Sequence, residues 1–122
     1  MILDSNILIL AARDEHAGLR RLFVDGTASV SAISVVEVLG YHKLTDANRS
    51  LLEAFFIALE ILPVSDAVIQ GAVVLRQTKN RSLGDAIIAA TALLHGRELK
   101  THNLRDFLDV PGLIATEPLA AN

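Results

Sequence analysis

At 122 residues the chain is long enough for one core, and with 52% apolar but only 4% aromatic side chains that core is aliphatic. A formal charge of −3 at pH 7 argues against a protein that coats nucleic acid, though not against one that grips phosphates locally. The absence of cysteine excludes disulfide frameworks and thiolate metal sites and suits a reducing cytoplasm, the expected location.

No apolar run approaches the roughly 20 residues of a membrane-spanning helix, and residues 1–4 show no basic segment followed by an apolar one. No membrane association or secretory signal is therefore expected. Repeats, low-complexity tracts and linkers are missing too, so residues 1–122 read as one domain.

Taken in chain order, residues 1–3 form a brief strand, and a helix begins near Asp4, Ser5 and Asn6. Leu19, Leu22 and Phe23 mark an amphipathic turn, residues 28–31 a second strand, and a helix follows from about Ser34. Leu51, Leu52, Phe55, Phe56 and Leu59 share one helical face. Residues 61–64 form a third strand, after which Asp66 opens a helix carrying Val68, Ala72 and Leu75. Leu83, Ile87, Ala90 and Leu94 define another helix, stopped by Gly96. Residues 98–101 form a fourth strand and residues 113–115 a short fifth. Strands alternating with helices of this length imply an α/β fold: a parallel sheet of four to five strands with helices on both faces.

Most of the 14 acidic residues, among them Asp14, Glu15, Asp25 and Asp46, stand in polar or turn-like settings. Four do not. Asp4 ends an apolar strand, Glu37 sits within an apolar helix, Asp85 opens another, and Asp106 lies just past the fourth strand. Each singly reads as well as a helix cap: Ser34, Ser82 and Asn103 stand three residues ahead of Glu37, Asp85 and Asp106, the capping-box spacing or a close variant. Asp66, also at a strand-to-helix turn, reads as a cap only.

Topology joins the four, because every helix following or preceding these strands begins at the sheet's carboxyl edge, where open α/β sheets place ligands. If the first, second and fourth strands are neighbours, the four carboxylates converge, and Asp66 stays outside if its strand lies at the border. Crowded carboxylates repel unless protonated or bridged by cations. All-oxygen donors suit Mg²⁺ or Mn²⁺ and not zinc, and a carboxylate-held Mg²⁺ suits phosphodiester hydrolysis.

The same residues resemble a known family. Leu3-Asp4-Ser5-Asn6 is similar to the N-terminal aspartate motif of PIN domains, with Ser where Thr is common. Val35-Val36-Glu37-Val38-Leu39-Gly40, Asp85-Ala86-Ile87-Ile88-Ala89-Ala90 and Thr101-His102-Asn103-Leu104-Arg105-Asp106-Phe107 resemble its three later motifs, in order. Within it the chain looks most like the compact VapC-type toxins of toxin–antitoxin pairs. That resemblance implies a Mg²⁺- or Mn²⁺-dependent endoribonuclease with Asp4, Glu37, Asp85 and Asp106 as metal-binding and catalytic residues. Asn6, Thr101 and Asn103 would support them, or serve only local turns and caps. RNA as substrate, a cognate antitoxin and a homodimer are the implied partners.

Lys43, Lys79, Arg81 and Arg105 are candidates to steer phosphates, although isolated cations are mostly solvated surface. The face carrying Leu51 to Leu59 is a candidate seat for an antitoxin tail, or equally part of the core. Two rivals of other classes stand beside the nuclease: a catalytically silent PIN-like interaction module and a receiver-like Mg²⁺-binding signalling domain. The receiver wants two adjacent acids after the first strand, and here Leu3 precedes Asp4.

Overall fold

The structure, a computed structural model, describes residues 1–24 and 26–118; Asp25 lies outside the described residues. Its centre is β1 (Ile2–Leu3), flanked by β2 (Ser29–Ser31) and β4 (Leu99–Lys100), with β3 (Glu60–Leu62) and β5 (Ala115–Thr116) at the borders. The order β3-β2-β1-β4-β5 is parallel throughout. Ile2 and Leu3 are both fully buried because successive strand residues face opposite sides and each side is covered.

Ile2 faces a core shared with α4 (Asp66–Thr78) and α5 (Leu83–His95), including Val68, Leu75 and Ile88. Leu3 faces the other core, built with α1 (Ser5–Ala11), α2 (Ala32–Leu39) and α3 (Asp46–Ala58), including Ile7, Val38 and Leu52. The result is the expected three-layer α/β/α arrangement. A receiver-like sheet runs in the order 2-1-3-4-5. The order found here excludes it.

Several local expectations need correction. The helix expected from Ser34 begins at Ala32, because Ser31 is its cap and accepts from the Ile33 amide at 3.2 Å. The third strand stops at Leu62, where Pro63 has no N–H to continue the ladder. The segment holding Leu19, Leu22 and Phe23 is a kinked 3-10 stretch, Asp14–Phe23. The fifth strand lies one to two residues later than expected.

In α5 Leu83 and Leu94 are exposed, while Ala86 to Ala92 are buried on every side. This helix is apolar all round because it lies between the sheet, α2 and α4. Its end matches expectation: Gly96 adopts φ 60°, a left-handed conformation that costs glycine nothing. The face of α3 offered to a partner is core instead. Leu52, Phe55, Phe56 and Leu59 are buried, and Phe23 packs on Phe55 with ring centroids 4.7 Å apart. Among the described residues no helix is long and apolar enough to cross a membrane.

Candidate functional site

The carboxyl ends of all five strands share one edge, and there the chain repeatedly turns from strand to helix. Asp4 makes the first turn. Its backbone N–H donates to the Lys100 carbonyl at 2.9 Å, which sets it beside β4, and its side chain is 3% exposed. Oδ1 accepts from the Ser5 amide at 2.8 Å, so the expected cap exists, and Oδ2 accepts from Thr101 Oγ1 at 2.7 Å. Thr101 in turn accepts from the Asn103 amide at 2.9 Å. Its hydroxyl thus holds the aspartate and the following turn together.

Glu37 is no cap, since it lies five residues into α2. Ser5 Oγ stands 2.7 Å from Glu37 Oε1 and 2.8 Å from Ser34 Oγ. One hydroxyl has one proton, so Ser5 donates to the carboxylate and accepts from Ser34. The other Glu37 oxygen lies where a methyl on Gly84 would be, so only glycine at that position lets Glu37 rest against the first turn of α5.

That turn carries Asp85, half-buried, whose amide donates to its cap Ser82 at 3.1 Å. Asp106 is exposed on the 3-10 turn Leu104–Asp106, where Asn103 gives its carbonyl to the Asp106 amide at 3.0 Å and no side-chain cap. Asn6 is half-buried in α1 and Asn103 exposed.

Electrostatics tie the four acids together. Asp4 is pushed up from 3.8 to about 6, first by burial and then by the charges of Asp85 and Glu37, against the hydrogen bonds from Thr101 and Ser5. Asp85 is also raised, mainly by burial, with Asp106 and Glu37 adding repulsion and the Ser82 hydrogen bond and Arg81 opposing. Asp4 thus feels Asp85 and Glu37, and Asp85 feels Asp106 and Glu37.

The acids share a rim without forming a closed cage: among the described residues, no three His, Asp or Glu are gathered closely enough to hold a metal ion. Their chemistry nevertheless fits Mg²⁺ or Mn²⁺. Hard carboxylate oxygens are the donors, their mutual repulsion favours a cation, and Mg²⁺ usually takes one or two carboxylates and completes its shell with water and phosphate.

Beside Asp85 and Asp106 opens a groove of about 430 Å³ whose other walls are Arg76, Lys79, Asn80, Arg81 and Ser82. Arg81 was a candidate for steering phosphates, but its side chain is 6% exposed and already committed. Its Nε donates to the Leu75 carbonyl at 3.1 Å and its guanidinium meets Asp109 at 3.1 and 3.4 Å. Lys79 is open to solvent and meets Asp109 at 3.5 Å. Lys43 lines a different cleft, with Tyr41 and Leu44, and Arg105 is exposed beside Asp106. Arg76 was missed by the sequence reading, although its place in the last turn of α4 aims it at the loop 79–82.

The PIN domain family matches residues 1–113. No curated protein matches the chain. Among solved structures, one chain of a toxin–antitoxin complex from Klebsiella pneumoniae is 31% identical, with a TM-score of 0.72 and coverage of 93% of this chain and 94% of that one. A chain of VapBC2 from Rickettsia felis, bound to a DNA fragment from its promoter, is 26% identical at TM-score 0.78, covering 95% and 96%. A chain of DNA-bound VapBC from Salmonella typhimurium has TM-score 0.80 over 95% and 96%, and at 24% identity it speaks for the fold alone. With the match running from β1 past Asp106, the chain belongs to the PIN-domain family.

Proposed function

We propose that this PIN domain, read as one nuclease unit over residues 1–122, is a metal-dependent endoribonuclease of VapC type, the toxin of a toxin–antitoxin pair in the cytoplasm. The observation that carries the reading is the placing of four carboxylates from four separate segments along one sheet edge, beside a groove lined by Arg76 and Lys79. The Klebsiella and Rickettsia relatives are chains of toxin–antitoxin and VapBC assemblies, which supports a cognate antitoxin as the protein partner.

In this reading Asp4, Glu37, Asp85 and Asp106 hold Mg²⁺ or Mn²⁺. When bound, the ion polarises a phosphate oxygen and lowers the pKa of a bound water. The chain's own residues do the positioning. Thr101 and the Ser5 amide fix both oxygens of Asp4, and Ser5 Oγ fixes Glu37. Burial, with added repulsion from Asp85 and Glu37, raises Asp4 to about 6 in the metal-free rim, so its charged form, the one that suits a cation, is favoured as pH rises through that value. Lys79 and Arg76 offset phosphate charge along the groove, and Asn6 and Asn103 present amides near the rim. A hard cation with flanking positive charge suits a phosphodiester backbone, and RNA is the one that the likeness to VapC-type toxins favours.

The test is cleavage of a mixed-sequence labelled RNA by the purified chain, free of any partner, with Mg²⁺, with Mn²⁺ and with excess EDTA. Internal cuts with either metal and none in EDTA are expected. Undiminished cutting in EDTA overturns metal dependence, and intact RNA under all three conditions leaves the fold as a silent interaction module.

A further inference from the structure

The four rim acids are not all held alike. Thr101 and the Ser5 amide fix Asp4, and Ser5 Oγ fixes Glu37. Asp85 and Asp106 meet the groove from two different segments, the start of α5 and the 3-10 turn after β4. Like charge pushes them apart, since Asp106 is among the groups that raise Asp85. Their spacing in the metal-free chain therefore depends on what joins the two segments.

Arg81 stands four residues ahead of Asp85, and Asp109 three residues past Asp106. The Arg81 guanidinium grips both carboxylate oxygens of Asp109, Nη2 to Oδ2 at 3.1 Å and Nη1 to Oδ1 at 3.4 Å. Its Nε bond to the Leu75 carbonyl adds the end of α4, and Arg76 Nε donates back to the Arg81 carbonyl at 3.3 Å. Both the side chain and the backbone of Arg81 are thus tied down. At the far end, Phe107 and Val110 flank Asp109 and are buried in the core shared with α5. Lys79 also reaches Asp109, but from solvent and through one contact. A buried guanidinium needs its donors placed, and its flat fork meets a carboxylate at two points, which an ammonium cannot do.

We infer that Arg81 is a positioning residue: through Asp109 it fixes the spacing of Asp85 and Asp106 across the groove, and so sets how tightly the rim takes a divalent cation. The inference rests on the metal-centre reading of the rim, and it gives Arg81 no contact with metal or RNA. Charge and position predict different outcomes. Arg81 lies close enough to Asp85 to favour its ionised form, and a cation so placed opposes a second one. By charge alone, removing Arg81 would tighten cation binding. By position, removing it weakens binding.

The test titrates Mn²⁺ into the full chain without RNA and counts the free hydrated ion by its electron paramagnetic resonance. It is run where circular dichroism shows each protein folded, so lost stability alone does not move the result. Asp85→Asn should bind at least about tenfold more weakly than wild type, which marks the rim as the site. Arg81→Gln and Arg81→Lys should each bind at least about tenfold more weakly too, as when the support of a ligand is lost. If Arg81→Gln fails to fold, Arg81→Lys carries the test, because it keeps the charge and loses both the Nε bond and the two-point grip. Arg81→Gln binding as tightly as wild type or tighter, or Arg81→Lys matching wild type, overturns the inference alone. Wild type binding no better than Asp85→Asn overturns the metal-centre reading and the inference with it.

Discussion

Two strand-to-helix turns at the same edge of the sheet show what makes a site here. At β1–α1, Asp4 is 3% exposed, both its carboxylate oxygens are bonded, and it feels the charges of Asp85 and Glu37. At β3–α4, Ser65 does the capping, accepting from the Val68 amide at 3.3 Å, and Asp66 is the exposed first residue of the helix. Locally the two turns are near equivalents. They differ in sheet position: β1 is central with acid-bearing neighbours on both sides, and β3 is a border strand. The same residue type is thus a buried rim acid in one place and solvated surface in the other, decided by strand order.

The comparison breaks most visibly under neutralising substitutions. Asp4→Asn, Asp85→Asn and Asp106→Asn should each fold and should each lower RNA cleavage at least about 100-fold, as expected when metal activation or base catalysis fails. Asp46→Asn, at the exposed start of α3, should leave cleavage unchanged in the same assay. A rim variant that cuts as fast as Asp46→Asn removes that residue from the site.

Thr101→Val sharpens the account of how Asp4 is held. It leaves Asp4 Oδ2 and the Asn103 amide without their hydroxyl partner. Urea unfolding should show a loss of about 1–3 kcal/mol, and cleavage should fall by about 10- to 100-fold. Thr101→Ser, which keeps the hydroxyl, should retain most of both.

The pH dependence of metal-free stability comes next. Asp4 has a folded value of about 6 against 3.8 in the unfolded chain, so the folded state binds its proton more tightly. Its contribution is therefore fully present below 3.8 and is lost as pH rises through about 6, on the order of 3 kcal/mol for a shift of this size. Asp4→Asn, neutral throughout, should lose less stability than wild type between about pH 4 and pH 7 in EDTA. Equal losses would mean that Asp4 titrates normally.

The smallest effect is expected at Gly84→Ala. Alanine favours the helix by about 0.5–1 kcal/mol, while its methyl collides with the flexible end of Glu37. Melting temperature should hold or rise while cleavage falls about tenfold, as when a ligand's support is lost.

Much of this was legible in the sequence because the α/β alternation puts Asp4, Glu37, Asp85 and Asp106 on the carboxyl side of their strands whatever the strand order. The order itself was not readable, since no residue in a two-residue strand names its neighbour. The supports of the site were hidden for a related reason. Thr101 reaches Asp4 across 97 residues and Ser5 reaches Glu37 across 32, so no local pattern marks either bond. Ser34 looked like a cap because its spacing to Glu37 is right, yet Ser31 ends the strand first and takes that role. The apolar face of α3 looked available only because amphipathic spacing does not say which element covers it.

Whether the rim is a metal centre or a set of helix caps is decided by melting wild type, Asp85→Asn and Asp66→Asn in EDTA and again in Mg²⁺. The bond from the Asp85 backbone amide to Ser82 survives the substitution, and the asparagine amide oxygen can still accept the Ser82 hydrogen bond that the carboxylate takes. Removing one repelling charge should therefore make Asp85→Asn melt higher than wild type in EDTA. In Mg²⁺ wild type should gain roughly 2.7 kcal/mol at one hundred times the dissociation constant, Asp85→Asn clearly less, and Asp66→Asn as much as wild type. An Asp85→Asn protein that melts lower in EDTA and gains as much from Mg²⁺ as wild type would contradict the account.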